Sequence, residues 1–359
     1  MTSSIPQITV RACVSLPAIC AAIHLATSIP GYSQAVVDQG IGPFRTQTIQ
    51  LEAGWNAVYL EIEPRKDAPN ELFAGTPIEI VAGYNRPLTS MQFIESPGKV
   101  LPDRKGWNVW YAPQREDALL GNLGAIQANH SYLVFAEQAY TWSFEGTPFF
   151  SPPRWHPNAF TLIGFPLDAA EIPTVANFFA GAKAHNPLKI YQMTSGQWSL
   201  ITQPAQVLMK PGAAYWVYSE GASEFRGPLA VSFPGSAAGG IVFNETSGSR
   251  QIEIRNTSAF PQELTCDLLP GNAGILPVSY LVTLLDGPDQ PVERISVPLQ
   301  PGMQFGPLEP GAAFILELEV TQESVTAPLL SSTLTLTSDA GPRVEIPLIS
   351  IRRDLLTNP

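Results

Sequence analysis

The stretch that decides the fold is GWNAVYLEIEP at residues 54–64, which has a counterpart, NAFTLIGFPLD, at residues 158–168. Both are short runs rich in β-branched and aromatic residues and bounded by Gly, Asn or Pro, which is typical of β-strands. The match continues downstream, where SYLVF at 131–135 corresponds to AYWVY at 214–218. Because self-similarity along a chain is the signature of repeated units, we predict two tandem small β repeats.

Each repeat is predicted to contain one short helical turn. The motif FAG occurs in both copies, which aligns Phe73 with Phe179. In the second copy Thr174 is placed to cap the segment VANFFA, and Gly181 is placed to supply the left-handed residue that ends a helix. Gly75 is the corresponding glycine of the first copy.

The last third of the chain has a different pattern. QIEIRN, ELTCDLL, AAFILELEV and STLTLTSD alternate apolar and polar residues, and this period of two predicts half-buried strands. Several such strands separated by turns favour an antiparallel immunoglobulin-like β-sandwich, although the Cys…Trp…Cys signature of antibody domains is missing. Cys266 lies on the inward face of one strand and is predicted to be a buried thiol. The predicted fold class is therefore all-β.

The first 35 residues have the layout of a signal peptide. An apolar stretch follows a single charged residue, and Ser33 and Ala35 occupy the small-residue positions of a cleavage site. The alternative is a membrane anchor, but Pro17 and Pro30 interrupt the run and leave it short of the ~20 residues that a spanning helix needs. We predict export, to the cell surface, the extracellular space or the periplasm, and no transmembrane segment after cleavage.

These observations divide the chain into four parts. They are a signal peptide at 1–35, β repeat 1 at 36–151, β repeat 2 at 152–234 and the immunoglobulin-like sandwich at 235–359. The proline-rich SPPRWHP marks the joint between the repeats, and the small-residue stretch GSAAGG precedes the sandwich.

Tandem units of the form GWN…FAG…W…YWVY, followed by a sandwich that contains LEPGAAFILELEV, resemble uncharacterised exported proteins of environmental bacteria. The resemblance covers roughly residues 45 to 355 and rests on structural aromatics and glycines. It implies adhesion, scaffolding or glycan contact, and it brings no activity with it.

Composition and motifs argue against several functions. With 31 acidic and 20 basic residues the formal net charge is −11, which disfavours a nucleic-acid partner. His130, His156 and His185 are isolated, and no zinc-ligand spacing, GxSxG elbow, P-loop or GxGxxG occurs. We predict no catalytic residue, no metal and no cofactor, while a catalytic site dispersed along the sequence stays open.

Two pairs of acidic residues, Glu61 with Glu63 and Glu317 with Glu319, each lie two positions apart on a predicted strand. Glycosidases use two carboxylates, so these pairs keep a hydrolase with a dispersed carboxylate site as an alternative. Like charges with this spacing more often mark a solvated strand face, and that is the interpretation we prefer.

The tryptophans separate into two groups. Four have apolar or aromatic counterparts in the other repeat, as framework positions should; they are Trp55, Trp110, Trp198 and Trp216, with Trp110 aligned to Trp198. Trp107, Trp142 and Trp155 lack such counterparts and are the candidate ligand-binding residues, because exposed rings stack on sugars and anchor interfaces. The alternative is that each covers a local edge of the core.

The sequence therefore predicts a non-enzymatic exported module with a structural or adhesive role. Its partners would be other envelope or extracellular proteins, or polysaccharide. The alternatives are a glycan-binding module that uses the three unmatched tryptophans and the hydrolase described above.

Overall fold

The structure is a computed structural model, and it describes residues 43–85, 106–233, 239–244, 248–271, 273–284, 293–352 and 355. The predicted signal peptide lies outside the described residues. The described part is almost entirely β, which confirms the predicted fold class. Its strands are β1 (Arg45–Leu51), β2 (Gly54–Leu60), β3 (Ile62–Pro64), β4 (Ile78–Tyr84), β5 (Trp107–Tyr111), β6 (His130–Ala136), β7 (Tyr140–Pro148), β8 (Ala159–Gly164), β9 (Ile190–Thr194), β10 (Gln197–Leu200), β11 (Ala214–Ser219), β12 (Leu229–Ser232), β13 (Ile241–Phe243), β14 (Ser249–Asn256), β15 (Gln262–Pro270), β16 (Val278–Leu284), β17 (Glu293–Pro298), β18 (Met303–Leu308), β19 (Ala313–Val320), β20 (Leu329–Ser338) and β21 (Arg343–Ile351). The helical segments are single turns: α1 (Pro69–Leu72), α2 (Val175–Phe178) and the 3₁₀ turns Ala118–Leu120, Lys183–His185 and Gln322–Ser324.

Two four-stranded sheets share one strand order. The first runs β2-β6-β4-β5 and the second β8-β11-β9-β10, with every pairing antiparallel. A short helix follows the first strand in both, and Phe73 and Phe179 are the residues that end these helices. The aligned phenylalanines thus lie in like elements.

A tyrosine repeats the same hydrogen bond in both sheets. The hydroxyl of Tyr132 accepts the backbone N–H of Gln127 at 2.9 Å, and the hydroxyl of Tyr215 accepts that of Lys210 at 2.8 Å. Each donor lies five residues upstream of its tyrosine. Burial raises the pKa of both phenols to about 12. Each hydroxyl thus forms a hydrogen bond between the strand and the loop that precedes it.

We expect Tyr132→Phe and Tyr215→Phe each to lower the free energy of unfolding by about 1–2 kcal/mol, because each leaves a partly buried N–H without its acceptor. Urea denaturation measures the loss. Tyr280→Phe is the matched control, since the Tyr280 hydroxyl makes no hydrogen bond within the described part of the chain and its ring is half-buried. Equal midpoints for all three variants would refute the role of these hydrogen bonds.

The first four-stranded sheet is buried on both faces. One face packs on the three-stranded sheet β1-β7-β3 through a core that includes Val58, Val81, Tyr132 and Trp142. The other face packs on the second four-stranded sheet through a cluster of aromatic residues centred on Trp216. In that interface β2 contacts β11 and β6 contacts β8, so equivalent strands contact each other reciprocally.

The last unit is a sandwich of two five-stranded sheets, β12-β14-β19-β16-β17 and β13-β21-β20-β15-β18. One apolar cluster contains residues of both sheets, among them Ile252, Leu318, Cys266 and Leu334. All pairings are antiparallel except that of β13 with β21, which is parallel. The antiparallel sandwich is as predicted, apart from this one strand.

Cys266 lies inside the sandwich with no exposed surface. Burial, and secondarily the charge of Asp267, raises the pKa of its thiol to about 12. The thiol is therefore protonated at neutral pH and behaves as a small apolar group, as predicted.

Strand β12 lies within the range predicted for repeat 2, but it is an edge strand of the sandwich and pairs with β14. The sandwich thus begins before the predicted boundary at residue 235. The four residues Leu229–Ser232 are too few to show their partner sheet by periodicity.

The glycines that follow the two helices serve different purposes. The Thr174 hydroxyl caps α2 by accepting the N–H of Asn177 at 3.2 Å, which confirms the predicted cap. Gly75 has a φ of 73°, whereas Gly181 is not among the residues with positive φ, so the prediction of a left-handed Gly181 is wrong. A Cβ on Gly181 would instead collide with the carbonyl oxygen of Thr257 in the sandwich. This glycine permits close approach of two backbones.

Candidate functional site

Two of the three candidate tryptophans are buried. Trp107 is 5% exposed and Trp142 is 2% exposed. Trp142 packs against Phe73 and Phe144, with ring centroids 5.3 and 4.7 Å away. A ring that stacks on a sugar needs an open face, and neither of these rings presents one. Their positions fit the alternative stated above, a place in the core.

Trp107 has a counterpart that the sequence alignment missed. When Tyr132 and Tyr215 are taken as equivalent, the strand registers place Trp107 and Trp198 at the same position of their sheets. Both rings contact Trp216, at centroid distances of 6.5 and 6.1 Å. Trp107 is therefore a framework residue of the interface between the two sheets.

Trp110, which the sequence aligned with Trp198, lies on the opposite face of its sheet. It packs on Phe73 at 5.0 Å, and its indole N–H donates to Oδ1 of Asn70 at 2.7 Å. The predicted equivalence of Trp110 and Trp198 is wrong. The longer connection between β4 and β5 hides the correct register.

Trp155 is half-buried and belongs to the edge of the second repeat. Its indole N–H donates to the carbonyl of Phe225 at 2.6 Å, and its ring lies 4.3 Å from that of His185. This bond holds the connecting segment against the loop that leads into the sandwich. The three tryptophans therefore do not form one exposed platform.

His185 is a buried histidine with both ring nitrogens engaged. Its Nδ1 donates to the carbonyl of Tyr218 at 2.8 Å, since a carbonyl can only accept, and its Nε2 accepts the hydroxyl of Ser223 at 2.9 Å. Phe179 and Phe225 complete its aromatic surroundings. Burial lowers the pKa of His185, and the Tyr218 carbonyl partly opposes that shift. The imidazole is a neutral structural group.

We expect the free energy of unfolding to fall as the pH falls below about 6.5, the ordinary pKa of histidine in the unfolded chain. The pKa of His185 is lower in the folded state than in the unfolded state, so the unfolded state binds more protons in this pH window. The neutral His185 therefore makes its full contribution to the free energy of unfolding only above this window. Urea titrations between pH 7.5 and 5.5 measure the slope. We expect His185→Gln to flatten this slope. Identical slopes in the wild type and the variant would contradict the assignment.

A cleft of about 790 Å³ opens where the two repeats meet the sandwich. Its charged lining comes from distant parts of the sequence: Glu61, Glu63, Arg154, Arg226, Arg343 and Glu345. Cavities of this size with a few convergent polar groups are the usual form of ligand sites. The cleft is thus the candidate functional site.

An ion cluster forms one wall of this cleft. Arg45 of β1 donates to Glu61 at 2.7 Å and to Glu345 of β21 at 2.9 Å, while Arg343 of β21 also contacts Glu61. The carboxylates are nearly buried, with side chains 4% and 8% exposed. The sequence suggested that Glu61 lies on a solvated strand face, and for this residue that interpretation is wrong. Its charge is neutralised by two arginines, Arg45 of the first repeat and Arg343 of the sandwich.

Glu63 has a different environment from Glu61. Its carboxylate accepts the backbone N–H of Ala128 at 2.7 Å. Its pKa is raised, chiefly by burial and secondarily by Asp67, against the opposing effects of the Ala128 hydrogen bond and of His130. Nearby, burial and the charge of Glu61 raise the pKa of Tyr59, whose hydroxyl donates to Asn129 at 2.9 Å. The two neighbouring carboxyl groups that the sequence paired thus both line the cleft.

Within the residues that the structure describes, no group of three or more His, Cys, Asp or Glu side chains could hold a metal ion. Within the same ranges, none of the helices has the length and apolar character required to cross a membrane.

No protein-family model and no curated protein matches the chain. Among solved structures it is similar to a FixG-related protein from Vibrio parahaemolyticus, at 14% identity over 35% of this chain and 94% of that one, with a TM-score of 0.20. It is also similar to the CsuC–CsuE chaperone and tip-subunit complex of Acinetobacter baumannii, at 15% identity over 31% of this chain and 52% of that one, with a TM-score of 0.19. A third is the Enterococcus faecalis MSCRAMM ACE, at 8% identity over 87% of this chain and 84% of that one, with a TM-score of 0.20. These likenesses carry no conclusion about function.

Proposed function

We propose that this chain is a non-enzymatic exported module that serves adhesion or scaffolding at the cell envelope, with other envelope proteins or polysaccharide as partners. The observation that carries the proposal is the ion cluster of Arg45, Glu61, Arg343 and Glu345. It joins the first repeat to the last strand of the sandwich. The most buried charges of the cleft thereby hold units together, which is a structural use.

Backbone hydrogen bonds extend the same connection. The N–H of Arg343 donates to the Pro166 carbonyl at 3.1 Å, and the N–H of Asp168 donates to the Gly341 carbonyl at 2.9 Å, so the second repeat is also paired with the sandwich. The N–H of Tyr59 donates to the Gly212 carbonyl at 2.8 Å between the repeats. A body fixed in this way presents its surfaces without the ordering cost of separate domains, which favours binding.

The proposal is tested by unfolding and by adhesion. We expect one cooperative thermal transition for the three units, and retention of protein-coated beads on envelope preparations or insoluble polysaccharide. Separate transitions for repeats and sandwich, together with beads that bind neither surface, would contradict it.

A hydrolase is the second candidate, and the raised pKa of Glu63 inside the cleft is the observation that favours it. A carboxyl group with a raised pKa can act as a general acid. Turnover of a glycoside or ester substrate that is lost in Glu63→Gln would support this candidate. Turnover that persists in that variant would exclude this residue as the acid.

A further inference from the structure

The cleft contains two arginines that the fold does not use as ion pairs. Within the described residues the side chain of Arg154 makes no hydrogen bond or ion pair, and Arg226 donates one N–H to the Val231 carbonyl at 2.9 Å. Both are exposed and both line the cleft. The hydrogen bond from Trp155 to Phe225 holds their neighbouring residues together. Two exposed arginines therefore line the same cleft from segments that this hydrogen bond joins.

The cleft also contains buried polar atoms without partners. In the described part of the chain these include the hydroxyl of Ser131, which is 8% exposed, and Nε of Arg343. The nearest carboxylate oxygen to that Nε is on Glu345 at 3.9 Å, which is too long for a hydrogen bond. Buried polar groups are nearly always bonded, and both of these atoms belong to residues that line the cleft.

The carboxylates of the cleft leave room for an anion. Glu61 and Glu345 are already neutralised by Arg45 and Arg343. The carboxylate of Glu63 is partly buried and accepts the backbone N–H of Ala128. Among the Glu and Arg residues of the lining, Arg154 and Arg226 are the exposed ones, although the whole chain carries a net charge of −11.

An apolar ring completes the lining. Phe149 is 42% exposed at the cleft, and Asn129 fixes its backbone by donating to its carbonyl at 2.6 Å. A flat ring offers a face to the C–H surface of a sugar. A fork of N–H donors on each arginine matches the two oxygens of a carboxylate.

We propose that the cleft binds an acidic oligosaccharide, with Arg154 and Arg226 on its carboxylates, Ser131 on a hydroxyl and Phe149 against a sugar face. This inference rests on the proposed binding function and names its ligand class. The volume of about 790 Å³ is within the range that holds a few sugar units.

Calorimetry with tetragalacturonate tests the inference, with its methyl ester as the neutral analogue and tetraglutamate as the acidic peptide. We expect binding of the acid alone, weakened by salt. In the Arg154→Gln/Arg226→Gln double variant we expect the affinity to fall about tenfold or more, because charge-assisted hydrogen bonds are lost. The matched control is Arg294→Gln, an exposed arginine of the sandwich, and it should bind as the wild type does.

Ser131→Ala separates a ligand role from a structural one. If the hydroxyl contacts the sugar, the affinity for tetragalacturonate falls in this variant while the melting temperature stays the same or rises. If the affinity is unchanged, Ser131 does not contact the sugar and its role as a ligand-binding residue is refuted. Equal binding of the methyl ester or of tetraglutamate would refute the acidic saccharide. If the protein-coated beads still adhere but the protein does not bind tetragalacturonate, the acidic-saccharide inference is refuted and the proposed function is left intact. If the beads do not adhere, both the proposed function and this inference are refuted.

Discussion

Replacing Glu61 with Ala is expected to lower the free energy of unfolding by about 3–5 kcal/mol. The change removes the carboxylate that Arg45 and Arg343 share and leaves two partly buried guanidinium groups with Glu345 alone. Breaking a buried ion pair from one side costs this much because the remaining charge stays desolvated. Guanidinium denaturation of the wild type and the variant measures the difference.

The control is Glu253→Ala, which breaks the pair with Arg255 on the exposed face of the sandwich. Exposed pairs contribute ~0–1 kcal/mol, so that variant should unfold almost as the wild type does. A Glu61 variant no less stable than the Glu253 variant would show that the cluster does not hold the units together, and the proposed function would lose its main support.

Trp216→Ala is expected to be as damaging, with a loss of about 3–5 kcal/mol. Trp216 is 1% exposed and lies between the two four-stranded sheets, where its ring contacts those of Tyr84, Trp107 and Trp198. Truncation opens a cavity among rings that belong to both sheets. The melting temperature should fall steeply while the unfolding stays cooperative.

Trp55→Ala is the matched comparison, because Trp55 packs on the same cluster but is only half-buried. The sequence predicts core behaviour for it, whereas its exposure predicts a clearly smaller loss than at Trp216. If the two truncations are equally mild, the sheets do not depend on this aromatic interface.

The sequence was sufficient where the signal is local. Alternation of apolar residues predicted the sandwich strands and the inward position of Cys266, and the position of Thr174 before the segment VANFFA predicted the α2 cap. Local propensity also explains the error at Gly181, since a glycine after a helix usually has a positive φ. Here it permits contact with a strand from another unit, which no local pattern reports.

The site could not be predicted because its parts are distant in sequence. Arg45 and Glu345 are 300 residues apart and meet only in the folded chain, where β21 contacts β7, the strand that pairs with β1. Likewise, the match of Trp107 with Trp198 follows from strand registers, because the unequal connections between strands break the alignment. Burial depends on the tertiary structure. A tryptophan that has no counterpart in an alignment of the repeats can therefore still be buried.

The parallel pairing of β13 with β21 determines how the sandwich resists mechanical tension. Residues 241–243 form the second strand of this unit along the chain, after β12, and residues 343–351 form its last described strand, with Ile241 opposite Leu348 and Phe243 opposite Ser350. A pull that separates the start of β13 from the end of β21 slides the two strands along each other and loads their hydrogen bonds together. An antiparallel terminal hairpin would instead open one bond at a time. Forced unfolding is governed by the unfolding rate, so this geometry raises the force that the sandwich withstands before β13 and β21 separate.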